Sequence, residues 1–559
     1  MQLIRFYLCL TLFGHQIKFS TMEKLRHFQN FSWCKPDWCL PSTSKETDEL
    51  LRQCANIPTT QPTYNIDDVI KRSKAFPIPF PIETVRLVTL KERRPADRLQ
   101  RNIVSAYPVV HERVLLLMTH FLIYKREFGS SIEKAFYKDM TVHEFINRLL
   151  TKRAVSFVGQ HDLYILLGGE KGQKEQWENI GTLQQRDPLV LNNCLSYDEL
   201  KISAMMYISS HTECINNGER RNSGVVNETD IEDNAVIIGV IGPRFERSER
   251  MDYEDMLITE QQNCPENGYG EEVTPTTCLN VLKTTYVRNN QSAKHMWRQM
   301  WAEFYQVPSY TYQELSSYIN SEAKSDERRY TDRFVAVEKK AAIFDNESYY
   351  KRLSVLVETT LLEAQHRAHQ AGKDAFLNVI GAGLGVWKIS SHQNDVYVLT
   401  FIERTRALLR RDALSHITDV NFAYISTTDG IKAFFKNTSE GNSENAEMRI
   451  FLESKKHPKG GINVQIQNRE PSARLTGKHA GKLLVMTYPW DSNAHPGNEF
   501  WFGSLDGSGD PAAACSTQIA ELHNAHINSN VCAQNTRVVA TTNGCGLQPI
   551  AEYCRNALA

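Results

Sequence analysis

Four carboxylates, Asp491, Glu499, Asp506 and Asp510, fall within twenty residues and are interleaved with Trp490, Phe500, Trp501 and Phe502. A carboxylate beside bulky apolar side chains loses hydration and its pKa rises, which suits it to acid–base work near neutrality or to stabilising a cationic transition state. The same composition also fits a solvated acidic loop with its aromatics turned inward, or a divalent cation held by oxygens, although the regular ligand interval of a calcium loop is missing. A second stretch able to do chemistry lies upstream, Gly381-Ala382-Gly383-Leu384-Gly385-Val386-Trp387. Three glycines in five residues after an apolar run let backbone N–H groups close on a phosphate. The loop reads equally as a ligand-free tight turn or as the first turn of a dinucleotide-binding fold, but Val386 stands where that fingerprint needs its last glycine. Ser508-Gly509, ahead of a helix start, offer further amides.

These groups need elements to place them. Residues 483–486 form an apolar strand leading to Asp491, and residues 376–380 form one leading to Gly381. A long helix over 349–371 is stopped by Gly372, and 236–242 is a buried strand. Residues 111–128 are helical up to Gly129, Thr141 with Glu144 is a capping box, and 163–167 with Gly168-Gly169 is a strand and turn. Trp297, Trp301 and Phe304 repeat at helical spacing as a core stripe. Residues 396–402 are expected as a strand followed by a basic helix over 404–414, because 388–395 is short and polar for a crossover helix. Glu403 would then end a strand where a ribose-binding acid is found. Residues 420–425 and 462–466 are further strands. Residues 216–234 and 437–461 are polar insertions, the first expected to be mobile. Strands alternating with helices predict an α/β fold with a mostly parallel or mixed sheet.

The chain has 559 residues, 41% of them hydrophobic, and a net charge of -1. That balance argues against a general nucleic-acid or membrane-surface binder. No run approaches the ~20 apolar residues of a membrane span. Twelve scattered cysteines without zinc-ribbon spacing fit reduced thiols in a reducing compartment, and hence the cytoplasm. Arg5 and the apolar run 6–13 are short for a signal peptide, and Met22 begins a more ordinary start. His523 and His526 read as capping or surface residues sooner than as metal ligands. Cys515-Ser516 lacks a nucleophile elbow, and there is no Walker motif. The expected division is 1–95 weakly ordered, with Pro77, Pro79 and Pro81 as an extended linker; 96–235 mainly helical; 236–540 the α/β domain carrying the site; and 541–559 a tail.

Two motifs resemble one family. The helix over 361–371, Gly372, a strand and the 381–387 loop resemble the second phosphate loop of macrodomains, nearest the microbial and poly(ADP-ribose) glycohydrolase branch. Asp491 and Asn493 at a strand end, then Gly507-Ser508-Gly509-Asp510 and a helix, resemble the other macrodomain loop. Residues 235–535 as a whole resemble the MavL-like macrodomain family, with Gly242-Pro243-Arg244-Phe245-Glu246 and Glu266-Asn267-Gly268-Tyr269-Gly270 as matching segments. The resemblance implies a macrodomain-like mixed sheet flanked by helices, with a mainly helical N-terminal region. Its loop order is rearranged, because the acidic loop follows the phosphate loop. It implies hydrolysis of ADP-ribose from modified arginine, with ADP-ribose as ligand and an ADP-ribosylated protein, ubiquitin among them, as partner. The acidic site residues fall on Asp491, Glu499 and Asp510. Gly381, Gly383, Leu384, Gly385, Val386, Trp387, Ser508 and Gly509 would hold the diphosphate, Asp491 and Asp510 would contact ribose and water, Glu499 would take the arginine or the water, and Asn493 would bond the ribose. No metal and no cofactor are expected. A non-catalytic ADP-ribose reader, a metal-dependent nucleotide or phosphoester hydrolase, and a dinucleotide oxidoreductase are the alternatives.

Overall fold

The computed structural model describes residues 25, 27–58, 65–270, 284–318, 329–337, 341–436, 448–491, 493–542 and 544–559. The start of the chain (residues 1–22), Ser492 and residues 437–447 of the second insertion lie outside them. Ten strands form one sheet: β1 (Tyr107–His111), β2 (Met206–Glu213), β3 (Asn234–Val240), β4 (Ala375–Ile380), β5 (Ile417–Ala423), β6 (Arg449–Glu453), β7 (Gly461–Ile466), β8 (Leu483–Pro489), β9 (Arg537–Ala540) and β10 (Gly546–Pro549). Their order across it is β6-β7-β5-β4-β8-β3-β2-β1-β9-β10. Strands β7, β5, β4, β8 and β3 run parallel at its centre, and antiparallel pairs flank them on both sides. The sequence of β3, Asn-Ala-Val-Ile-Ile-Gly-Val, is buried from Ala235 onward, as expected of a parallel strand covered on both faces. The mixed α/β sheet expected from the sequence is therefore present.

Helix α1 (Glu112–Phe128) follows β1 and ends at Gly129. Helix α2 (Asn346–Ala371) is buried along most of its length and stops at Gly372, whose φ of 60° is the left-handed cap conformation. The guanidinium of Arg352 on α2 donates to Asp252 Oδ1 at 3.0 Å and to the carbonyls of Ala204 and Ile241, so the central helix grips the loop that leaves β3. No helix of the described residues is long and apolar enough to cross a membrane.

Four expectations need correction. Residues 396–402 are not a strand: they belong to helix α3 (His392–Arg410). Their run of Val, Tyr, Leu, Thr, Phe and Ile looks strand-like because α3 is buried on nearly all sides and shows no polar face. Glu403 lies inside that helix and accepts from Tyr350 Oη at 2.7 Å, so it is not a ribose acid at a strand end. The 216–234 segment is pinned to the body: Ser472 Oγ donates to Asn216 O at 2.6 Å and Leu475 N to Glu232 Oε1 at 2.7 Å. Within 437–461, β6 pairs antiparallel with β7.

The sheet also runs across the boundary placed at residue 235, since β1 and β2 precede it and β9 and β10 follow the site. The Pro77-Pro79-Pro81 stretch does more than link. The ring of Phe76 lies 5.1 Å from that of Trp501, and Phe80 lies 4.8 Å from Trp501 and 6.5 Å from Phe500.

Candidate active site

Strands β4, β8 and β3 are adjacent and parallel, so their C-terminal ends open on one edge of the sheet, where α/β folds place ligands. The loops leaving them are 381–391, 490–510 and 241–247. Trp490 N donates to Val240 O at 2.9 Å, Ile380 N to Thr487 Oγ1 at 3.0 Å and Phe245 N to Trp387 O at 3.2 Å, lacing the three together. The two stretches singled out in the sequence are therefore brought side by side, although about a hundred residues separate them.

The phosphate-loop candidate is fixed by glycines that face each other. A Cβ on Gly242 would lie 2.2 Å from Ala382 O and 2.4 Å from Gly383 N. Gly383 has φ 74° and comes as close to Pro243 O, where a Cβ would meet it at 2.7 Å. Beside Gly385 there is open space, and Gly385 and Val386 are exposed. Gly381, Leu384 and Trp387 are half-buried and Ala382 and Gly383 buried, so Gly385 and Val386 are the outward part of the loop on a packed base. Ser508 and Gly509 open helix α5 (Gly509–Ser516), and Gly509 packs on Pro489, the last residue of β8.

The acids divide into different roles. Asp491 accepts from the Nδ2 of Asn498, the first residue of helix α4 (Asn498–Phe502). Asn498 is fully buried, and its Oδ1 accepts from Phe157 N at 2.6 Å and Ser156 Oγ at 3.2 Å. Its amide is thus oriented by backbone, with N–H aimed at Asp491. Burial, then the negative charge of Glu499, pushes the Asp491 carboxyl up to about 7; Arg244 and the Asn498 amide oppose the shift, and Glu246 adds to it.

Asp510 is 1% exposed. Its Oδ1 accepts from Gly497 N at 3.0 Å and its Oδ2 from Asn498 N at 2.8 Å. Each oxygen accepts from an amide at the start of α4, so Asp510 holds Asn498 and Glu499 in position. Burial and the neighbouring Asp491 still push its pKa well up.

Glu499 is half-buried and turns toward Gly507, where a Cβ would fall 2.3 Å from Glu499 Oε2. Burial raises its pKa, Ser508 and Arg220 lower it, and Glu246 raises it again. Asn493 is buried beside these groups, and Asp506 is exposed.

Asp510→Ala should therefore act through geometry. The loss of two buried N–H contacts should cost ~1–2 kcal/mol in a denaturant melt. Displacement of Asn498 should cut turnover roughly 100-fold. Wild-type turnover in a folded variant would refute the positioning role.

Sequence reasoning did not single out Asn498, Arg244 or Glu246 as site residues. Arg244 is 2% exposed and donates to Asp162 Oδ1 at 2.8 Å and Glu246 Oε2 at 3.1 Å. Its backbone N donates to Asp252 Oδ2 at 2.9 Å. Two opposite charges spaced two residues apart, just past a buried strand and a glycine, were the available signal. His523 is part of the core and bonds Ser210 Oγ at 2.8 Å and Tyr488 Oη at 3.0 Å, and half-buried His526 bonds Thr151 O at 3.0 Å. Among the described residues, no group of three or more His, Cys, Asp or Glu is arranged to hold a metal ion.

A family model described as ADP-ribosylhydrolase MavL-like matches residues 67–556. Two curated proteins of Drosophila melanogaster are similar along nearly the whole length. ADP-ribosylarginine hydrolase CG3568 is 39% identical over 515 residues, covering 92% of this chain and 92% of its own. ADP-ribosylarginine hydrolase CG2909 is 36% identical over 514 residues, covering 91% and 93%.

Proposed function

Since this chain belongs to the MavL-like ADP-ribosylhydrolase family, we propose that it removes ADP-ribose from arginine side chains of modified proteins. The observation that carries the arginine linkage is the charge around the open edge. Asp491, Glu499 and Glu246 act on one another there, with Arg220 opposing them at Glu499, while the charge of Arg244 is already taken by Asp162 and Glu246. A diphosphate beside so many carboxylates is best held on neutral backbone amides, which the 381–385 loop and the Ser508-Gly509 turn offer. The acidic remainder favours a cation at the anomeric carbon. A guanidinium meets that demand, and a serine or carboxylate oxygen does not.

The chemistry follows. The bond between the anomeric carbon and the guanidinium nitrogen lengthens, and its electron pair goes to nitrogen. The ribose takes on oxocarbenium character beside the carboxylate of Asp491. Water adds to the anomeric carbon and gives its proton to Asp491, whose pKa near 7 lets it accept at neutral pH. The departing neutral guanidine is then reprotonated, so water has been added across the bond. Asn498 holds Asp491 in place, and Glu499 steadies the water or the guanidinium. Asn493 bonds the ribose. Ubiquitin modified on arginine is one carrier to assay, and the cytoplasm is the location we propose, on the cysteine usage.

The test is release of ADP-ribose from an arginine-modified protein, followed by mass spectrometry of both products. Unmodified arginine and free ADP-ribose are expected, at a rate unchanged by EDTA. Binding of ADP-ribose with no release would favour the reader, and loss of release on chelation would favour a metal-dependent hydrolase.

A further inference from the structure

We infer that Glu246 is the residue that selects arginine: its carboxylate, fixed by Arg244, receives N–H groups of the substrate guanidinium while Asp491 attends the anomeric carbon. The inference rests on the proposed release from arginine and assigns a role to a residue outside the acidic stretch. Glu246 lies on the loop leaving β3, next to Phe245, whose N–H is bonded to Trp387 O at 3.2 Å at the exit of the glycine loop. Its base is rigid. The Arg244 guanidinium is 5.6 Å from the ring of Trp387 and 5.7 Å from that of Phe157. Phe157 N in turn holds Asn498, which holds Asp491. One short chain of contacts therefore connects Glu246 to Asp491 through a shared buried floor.

Local charge shows that Glu246 is not needed merely to neutralise Arg244. Asp162 is fully buried 2.8 Å from Arg244 and also pairs with Arg247 at 3.4 Å; Arg247 has Glu178 as a second partner. Two cations, Arg244 and Arg247, thus face three carboxylates, Asp162, Glu178 and Glu246. One negative charge is left over in this count, and Glu246 acts on both Asp491, where Arg244 opposes it more strongly, and Glu499, where Arg220 opposes it. Arg244 occupies Oε2 of Glu246. A carboxylate accepts several hydrogen bonds, so capacity remains for a second, planar donor of the kind a guanidinium provides.

The experiment separates this inference from the proposed function by measuring binding in a background that does not turn over. In full-length Asp491→Asn protein, affinities for ADP-ribosyl-arginine and for free ADP-ribose are compared by calorimetry, with and without Glu246→Gln. Glu246→Gln is expected to weaken the arginine conjugate roughly 10- to 100-fold and to leave free ADP-ribose within about twofold. Glu246→Asp should recover part of the loss, and a thermal melt checks that each variant is folded. Equal weakening of both ligands, or of neither, would overturn the role of Glu246. Failure of the wild type to release ADP-ribose from arginine would instead sink the proposed function, and the binding comparison would still decide the role of Glu246.

Discussion

Asp491→Asn is expected to lower release of ADP-ribose from arginine roughly 1000-fold, because it removes the only proton acceptor given to the attacking water. The substitution keeps the size of the side chain, so binding of free ADP-ribose should persist. The pH profile gives a second check. The Asp491 carboxyl has been pushed up to about 7, so wild-type kcat/KM should rise with pH through that value as the base ionises, and the variant should show no such step. Stability should move the other way. A carboxyl whose folded pKa lies above its unfolded value of about 4 binds its proton more tightly in the folded state. Its stabilising contribution is complete below about pH 4 and is lost as pH rises through about 7. Asp491→Asn, with nothing to ionise, should therefore gain thermal midpoint relative to the wild type between pH 5 and pH 8. Near-normal turnover, or a midpoint difference that shrinks over that interval, would remove Asp491 from the role given to it.

Gly242→Ala should be the most damaging change outside the acidic stretch. Its Cβ would be driven to 2.2 Å from Ala382 O and 2.4 Å from Gly383 N, both backbone atoms that cannot rotate away. The loop after β4 must move, and overpacking of this kind costs ~1–3 kcal/mol in an unfolding experiment. Displacement of the amides proposed to hold the diphosphate should weaken ADP-ribose roughly 100-fold. Gly385→Ala is the control, since a Cβ there meets nothing within 4 Å and the protein should melt as the wild type does. If Gly242→Ala binds ADP-ribose normally, the 381–385 loop is not the cradle.

The fold class and the partnership of the two loops were legible because both depend on local signals. Glycine clusters and strand-terminal acids mark themselves in any sequence, and parallel strands written as continuous apolar runs pointed to a covered sheet. What was not legible depended on burial. The 396–402 run passed for a strand because α3 has no exposed face to reveal its helical period. Asp510 looked equivalent to Asp491 in sequence. Only the packing shows that its oxygens accept from Gly497 N and Asn498 N, while Asp491 accepts from the side-chain amide of Asn498. Asn498 and Glu246 were missed for the same reason, since an amide or a carboxylate gains meaning from what it faces. Arg244 and Asp162, 82 positions apart, meet only through the tertiary fold.

Phe76 and Phe80 bear on Trp501 and Phe500 from behind, and Glu521 accepts from Leu87 N at 2.6 Å on the same side. The short helix that carries Asn498 and Glu499 thus has its rear wall supplied by a segment more than four hundred residues earlier in the chain. Anyone trimming this protein to a minimal unit would meet that fact first. A fragment beginning at β3 retains Glu246, Asp491, Glu499 and Asp510 and still lacks the buttress that aims them, so its inactivity would say nothing about the chemistry. The reacting half cannot be cut free of the half that holds it still.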